Sequence, residues 1–125
     1  MFNFSGKKPN NLGVDNGKLA ACPGSPNCVN SQSNDEQSKI TPLPAVSISK
    51  IKEVVKSMEK TEIIEETDSY LYAEFTSKLM GFVDDVEFYL DKNADVVHVR
   101  SASRLGQSDL GVNRQRVEEI RAKLA

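Results

Sequence analysis

The chain predicts an α+β fold: a four-stranded antiparallel sheet, or a five-stranded one with an edge piece, and two helices packed on one face. Three observations carry this. A helical apolar stripe follows Ser47, two pairs of alternating runs follow it, and a second helical stripe closes the chain. Every link between successive runs is short, which selects antiparallel pairing.

Taken in order, residues 1–37 hold four Asn before Ala20, three Gly, and then Pro23-Gly-Ser-Pro26. Apolar periodicity is absent, so this segment reads as an irregular N-terminal arm. Residues 38–125 read as a single α+β domain. Ile40-Thr-Pro-Leu-Pro44 is a short extended piece, confined by its prolines to an edge. From Ser47, Ile48, Ile51, Val54, Val55 and Met58 fall on one side of a helix of about three turns.

Thr61 to Glu66, a turn at Thr67-Asp-Ser69, and Tyr70 to Thr76 form the first predicted hairpin. In its second arm Leu71, Ala73 and Phe75 share a face, and Tyr70, Tyr72, Glu74 and Thr76 share the other. In the next hairpin Val86, Phe88 and Leu90 alternate with Asp85, Glu87 and Tyr89, and Val97 and Val99 with His98 and Arg100. Placing the apolar sets on one face pairs Asp91 with Val96. The same register opposes Glu87 to Arg100, Tyr89 to His98 and Asp84 to Ser103. A final helix from about Leu110 to Lys123 turns Asn113, Val117, Ile120 and Leu124 inward.

The bulk numbers bound the function. At 125 residues, 38% hydrophobic and 27% charged, the chain is a soluble globular type. A net charge of −2 offers no long-range attraction to nucleic acid, so none is expected as a partner. No apolar run reaches the roughly 20 residues of a membrane span, and Met1 to Asn10 has no apolar core of a secretory signal. The reading is therefore a cytoplasmic protein with no cofactor and no metal, its two cysteines reduced by default.

Chemistry concentrates late in the chain. Arg100, Ser101, Ser103, Arg104, Ser108, Asp109, Asn113 and Arg114 crowd into fifteen positions where a strand hands over to a helix. Arginine forks beside a helix N-terminus can hold an anion. The spacing Gly106-x-x-x-x-Gly111 is half of a nucleotide loop, but Val112-Asn113 stands where Lys-Ser/Thr is required, so a phosphate-loop reading is rejected. The competing account is a structural lock: Asp109 caps its helix, Arg100 pairs with Glu87, and Arg104 pairs with Asp84 or Asp85.

Cys22-Pro-Gly-Ser-Pro-Asn-Cys28 is the other distinctive segment. Its Cys-x5-Cys spacing is not a standard zinc pattern, and His98 is the only other soft ligand candidate. A disulfide there requires an oxidising compartment. Cys28 as a nucleophile requires a base such as His98 and oxyanion donors. Adjacent Asp84 and Asp85 point to opposite faces, one toward the helices and one toward water. Tyr70, Tyr72 and Tyr89 would paint an open sheet face.

Cys22-Pro-Gly-Ser-Pro-Asn-Cys-Val-Asn-Ser31, Phe82-Val-Asp-Asp-Val-Glu-Phe88 and the run from Val97 through Arg104 to Arg114 resemble the bacterial and plastid family called domain of unknown function 1499. The likeness runs from about Leu19 to Ile120, and Asn-Leu-Gly-Val14 with the short format is similar to its cyanobacterial members. Asn30 departs from the serine expected after Cys-Val. The resemblance implies a class without an established reaction, and makes the arm and the polar loop features of one surface. Asn27, Cys28 and Ser31 are then expected beside Arg100, Arg104 and Asn113 in one polar pocket at the sheet's end.

The preferred reading is a small domain binding a compact anionic or polar ligand through the Arg-rich loop. The competitors are a structural or protein-interaction module, with an apolar patch such as Leu79-Met80-Phe82, and a cysteine-dependent hydrolase or transferase.

Overall fold

Strand pairing organises the molecule, and a computed structural model describes residues 6–24, 26–77, 81–106 and 109–125. In chain order the elements are β1 (Cys28–Asn30), β2 (Leu43–Pro44), α1 (Ile48–Lys56), β3 (Thr61–Glu66), β4 (Tyr70–Thr76), β5 (Val83–Asp91), β6 (Val96–Ser103) and α2 (Val112–Leu124). The sheet is antiparallel, ordered β1-β6-β5-β4-β3, with β2 also on β6. It has six strands where the sequence predicts four or five. The extra strand, β1, comes from the segment read as irregular. Three residues are too short for alternation to be visible in sequence, and their pairing with Arg100 to Ala102 is set by distant residues.

The second hairpin has the predicted register. Glu87 opposes Arg100, Tyr89 opposes His98, Asp84 opposes Ser103 and Asp91 opposes Val96. The register follows from burial, since a slip by one residue would turn Phe88 and Val99 away from the helices. β3 carries a bulge between Ile63 and Glu65, so Ile64 is displaced from the ladder and stays partly exposed.

One face of the sheet carries the apolar core. Leu71, Ala73, Phe75, Val86, Phe88, Val97 and Val99 pack against Ile48, Ile51, Val54 and Val55 of α1 and Val117 and Ile120 of α2. Ser47 starts α1 by accepting the Lys50 N–H, a standard side-chain cap. The α2 start is less ordinary. Leu110 (φ 55°) and Gly111 (φ 83°) are both left-handed, and the Asp109 carboxylate accepts the Gly111 and Asn113 N–H groups at 2.8 and 3.0 Å.

The opposite face is covered, where the sequence reading leaves it open. Leu12 and Leu19 of the arm pack on Tyr70, Tyr72 and Tyr89. The tyrosines are a second, smaller core, because an arm of no apolar periodicity still brings isolated leucines to them.

Candidate functional site

Alternation along β6 divides the predicted cluster between two faces of the sheet. Ser101 and Ser103 look toward α2, and Arg100, with Arg104 just beyond the strand, looks toward the arm. One polar pocket was the expectation; the side chains form two networks back to back, for the elementary reason that neighbouring strand residues point apart.

The helix-side network is a lock. Ser101 Oγ donates to Asn113 Oδ1 at 2.6 Å, and Asn113 Nδ2 lies within donating distance of Ser103 Oγ, Asp109 Oδ2 and the Asn27 carbonyl. Arg116 Nη1 donates to Asn113 Oδ1 and Ser101 Oγ, while its Nη2 holds Asp84 at 2.8 Å. Hydrogen bonds from Asn113 and Gly111 hold the Asp109 carboxyl below its usual range, against the upward push of burial, the largest influence on it. Arg116 is absent from the residues singled out in sequence. Its signal was its place one helical turn beyond Asn113.

The arm-side network is a pocket. Arg104 Nε and Nη2 grip the two oxygens of Asp85 at 2.9 Å each, and Nη2 also reaches Glu74 at 2.7 Å. Tyr72 donates its hydroxyl to Asp85 as well. Asp85 is 1% exposed, so it does not face water as expected; the arm and Arg104 cover it. Burial, the Asp85 hydrogen bond and nearby carboxylates push the Tyr72 hydroxyl well above the usual phenol range.

Arg100 is placed differently. It is 4% exposed; its Nη1 stands 3.9 Å from Glu87 Oε1, its Nη2 is 3.4 Å from the Ala21 carbonyl, and its Nε has no hydrogen-bond partner. Glu87, fully buried, receives Tyr70 O–H at 2.6 Å and the Gly13 N–H at 2.7 Å on Oε2, leaving Oε1 without a hydrogen bond. Desolvation raises the Glu87 carboxyl above its ordinary range and lowers the Arg100 guanidinium below its own. Arg100 and Arg104 line a cavity of about 380 Å³ with Lys7, Cys22, Asn27 and Asp85. Lys8 sits over the Tyr72 ring nearby, 5.3 Å from its centroid. The Glu87–Arg100 opposition was readable in the strand register. Lys7, Gly13 and Ala21 carried no sequence signal, since backbone contact from a distant arm has none.

The remaining predicted residues lie elsewhere or straddle the two networks. Asn27 donates its Nδ2 to the Gly106 carbonyl at 2.7 Å and its backbone oxygen accepts from Asn113, so it bridges both faces. Arg114 reaches the Gln37 carbonyl at an exposed site. Ser108 lies outside the described residues. Ser31 Oγ is 3.0 Å from His98 Nδ1 and accepts the Val99 N–H.

His98 is half-buried beside Tyr89, with ring centroids 6.4 Å apart, rather than exposed. Desolvation lowers its pKa, against the opposing pull of Asp91. A depressed pKa means the neutral ring contributes stability above pH 6.5, lost as pH falls through the folded-state value. His98→Gln should therefore flatten the stability–pH curve below pH 6.5. Urea denaturation at several pH values checks this; an unchanged curve would contradict the assignment.

Cys22 and Cys28 are joined, with sulfurs 2.08 Å apart and Cα atoms 5.7 Å apart. Reduced thiols were the default reading, and β1 changes it: pairing Cys28 with Ala102 fixes that end of the turn and brings the Cα atoms within bridging reach. Cys28 is 3% exposed and, in the bond, has no thiol with which to attack a substrate.

Of the apolar patch expected at Leu79-Met80-Phe82, Leu79 and Met80 lie outside the described residues. Phe82 is exposed, as are Leu105, Leu110 and Val112, and these border a cavity of about 300 Å³ with Asp84, Ser103 and Arg116. Among the described residues no group of three or more His, Cys, Asp and Glu could hold a metal, and no helix is long and apolar enough to cross a membrane.

No curated protein and no solved structure matches the chain significantly. The family model described as "Protein of unknown function (DUF1499)" matches residues 18–124, which span β1, the whole sheet and both helices, and the chain belongs to that family.

Proposed function

We propose that the chain binds a compact anionic or polar ligand in the arm-side cavity, with Arg100 as the anchor. The single observation that carries this is the state of Arg100. A guanidinium almost wholly removed from water ordinarily has its donors filled, yet Nε has no partner and Glu87 stands back at 3.9 Å. Arg104 is spent on Asp85 and Glu74, so it shapes the wall rather than supplying the grip. Lys7 and Asn27 add polar groups at the same wall. A carboxylate or phosphoryl oxygen on Arg100 would supply the missing acceptor.

A second reading, a structural or protein-interaction module, is favoured by the closed helix-side network and by the exposed Phe82, Leu105, Leu110 and Val112. The cysteine-dependent hydrolase or transferase loses its nucleophile while Cys28 is in the disulfide. That bond supports an oxidising compartment, or a cytosol in which it forms transiently, over a permanently reduced one.

Thermal shifts with succinate, phosphate and sulfate test the ligand reading. A bound anion at about a hundred times its dissociation constant should add about 2.7 kcal/mol to wild type. Arg100→Gln should lose that gain; the double variant Glu87→Gln/Arg100→Gln, which removes both buried charges together, serves if the single variant unfolds. No stabilisation by any anion, or equal stabilisation of the variants, would overturn the reading.

A further inference from the structure

The cavity that holds Arg100 also has sulfur in its wall. Cys22 is partly exposed there, while Cys28, its covalent partner, is 3% exposed. The strand register explains the association: Cys28 pairs with Ala102 and Asn30 with Arg100, so Cys28 and Arg100 share the arm-side face. The disulfide thus borders a cavity that Lys7 and Arg100 also line, Arg100 with its Nε lacking a hydrogen-bond partner, while Asp85 is already engaged by Arg104 and Tyr72.

We propose that this cavity makes the Cys22–Cys28 bond a site of thiol–disulfide exchange selective for anionic low-molecular-weight thiols, those carrying a carboxylate beside the sulfur. The proposal rests on the anion-binding reading above and names the ligand class. The thiol's carboxylate is drawn to the Arg100 guanidinium at the cavity wall, and its sulfur is left against the accessible end of the disulfide. Its thiolate bonds to Cys22 Sγ as the Cys22–Cys28 bond breaks. Cys28 leaves as a thiolate and takes a proton from water. One disulfide replaces another, so no outside oxidant enters the step.

Opening the bond also has a structural consequence. Among the described residues, the contacts that hold the arm near Cys22 include the Ala20 carbonyl accepting from Asn30 Nδ2, the Ala21 carbonyl accepting from Arg100, and the disulfide that ties Cys22 itself to β1. Exchange removes the covalent one, next to the group that selected the thiol.

The test uses the full chain and two probe thiols, mercaptosuccinate and cysteamine, with opening trapped by alkylation and mass spectrometry. Rates are normalised to thiolate concentration, because the two thiols ionise differently. Mercaptosuccinate should react on the order of tenfold faster than cysteamine, with the gap closing as salt rises. The adduct should sit on Cys22, with Cys28 alkylated. Succinate should slow mercaptosuccinate and leave cysteamine unaffected, a wild-type readout that does not depend on a variant folding. Arg100→Gln should bring the two rates together.

Equal rates for the two thiols, or an adduct on Cys28, would overturn the proposal. A thermal shift with succinate then separates the two failures. Stabilisation by succinate with unselective exchange sinks only the exchange step; no stabilisation by succinate, phosphate or sulfate together with unselective exchange sinks the binding reading too.

Discussion

Asp85→Ala should destabilise the fold by about 3–5 kcal/mol, the usual cost of stranding one half of a buried ion pair. The side chain is 1% exposed and takes two hydrogen bonds from Arg104 and one from Tyr72. Its removal leaves the Arg104 side chain, 7% exposed, with Glu74 as its remaining carboxylate. Asp85→Asn keeps the shape and loses the charge, so it should fall between wild type and alanine. Urea denaturation of the three proteins measures this. A loss below about 1 kcal/mol for the alanine variant would place Asp85 among weak surface pairs and dismantle the arm-side network as described.

Asn113→Ala should cost about 3 kcal/mol, and for a different reason. Asn113 is fully buried and carries no charge, but it joins three parts of the molecule: α2, the end of β6 through Ser101 and Ser103, and the entry to β1 through the carbonyl of Asn27, the residue before it. Truncation leaves several buried polar atoms short of a partner at about 1–3 kcal/mol each, although Ser101 keeps Arg116 and the Asn27 carbonyl keeps the Ser103 N–H. The effect should fall on α2 first, so amide exchange in the Val112–Leu124 helix should accelerate more than exchange in β4 and β5. Uniform acceleration would mean that Asn113 supports the whole fold rather than the seam between helix and sheet.

These two variants probe the networks on opposite faces of the sheet. Asp85 follows Asp84 directly, and Arg104 follows Ser103, yet Asp84 and Ser103 serve the helix seam while Asp85 and Arg104 serve the arm. The crowding of polar residues between Arg100 and Arg114 was visible as composition. That it splits, rather than forming the single pocket expected, follows from the period of a strand, whose neighbouring residues point to opposite faces. The helix-side lock and the arm-side cavity are therefore separate objects, and a defect in one need not disable the other.

The fold was legible where physics is local. Alternating apolar residues in Tyr70–Thr76, Val83–Asp91 and Val96–Ser103 specified three strands and, between the last two, their register, because any slip there would expose Phe88 or bury the charges of Glu87 on the wrong side. The α1 stripe from Ile48 to Val55 and the Ser47 cap are equally local. β1 was not legible: three residues cannot display a period, and Val29 enters the core only because Ser101 is there to pair with it.

By itself, then, the amino-acid order determined the α+β class, the two hairpins and the pairing of the second, both helices, and membership of a family recognisable by its Cys, Asp and Arg blocks. The tertiary structure alone decided that the arm adds a strand and covers the tyrosine face, that Cys22 and Cys28 meet, and that Arg100 has an unfilled donor beside them. The division has one cause. Periodicity and capping act over a few residues and are written into neighbours, whereas burial of Arg100 also depends on the arm at Ala21, distant in the chain, which only the tertiary fold brings to it.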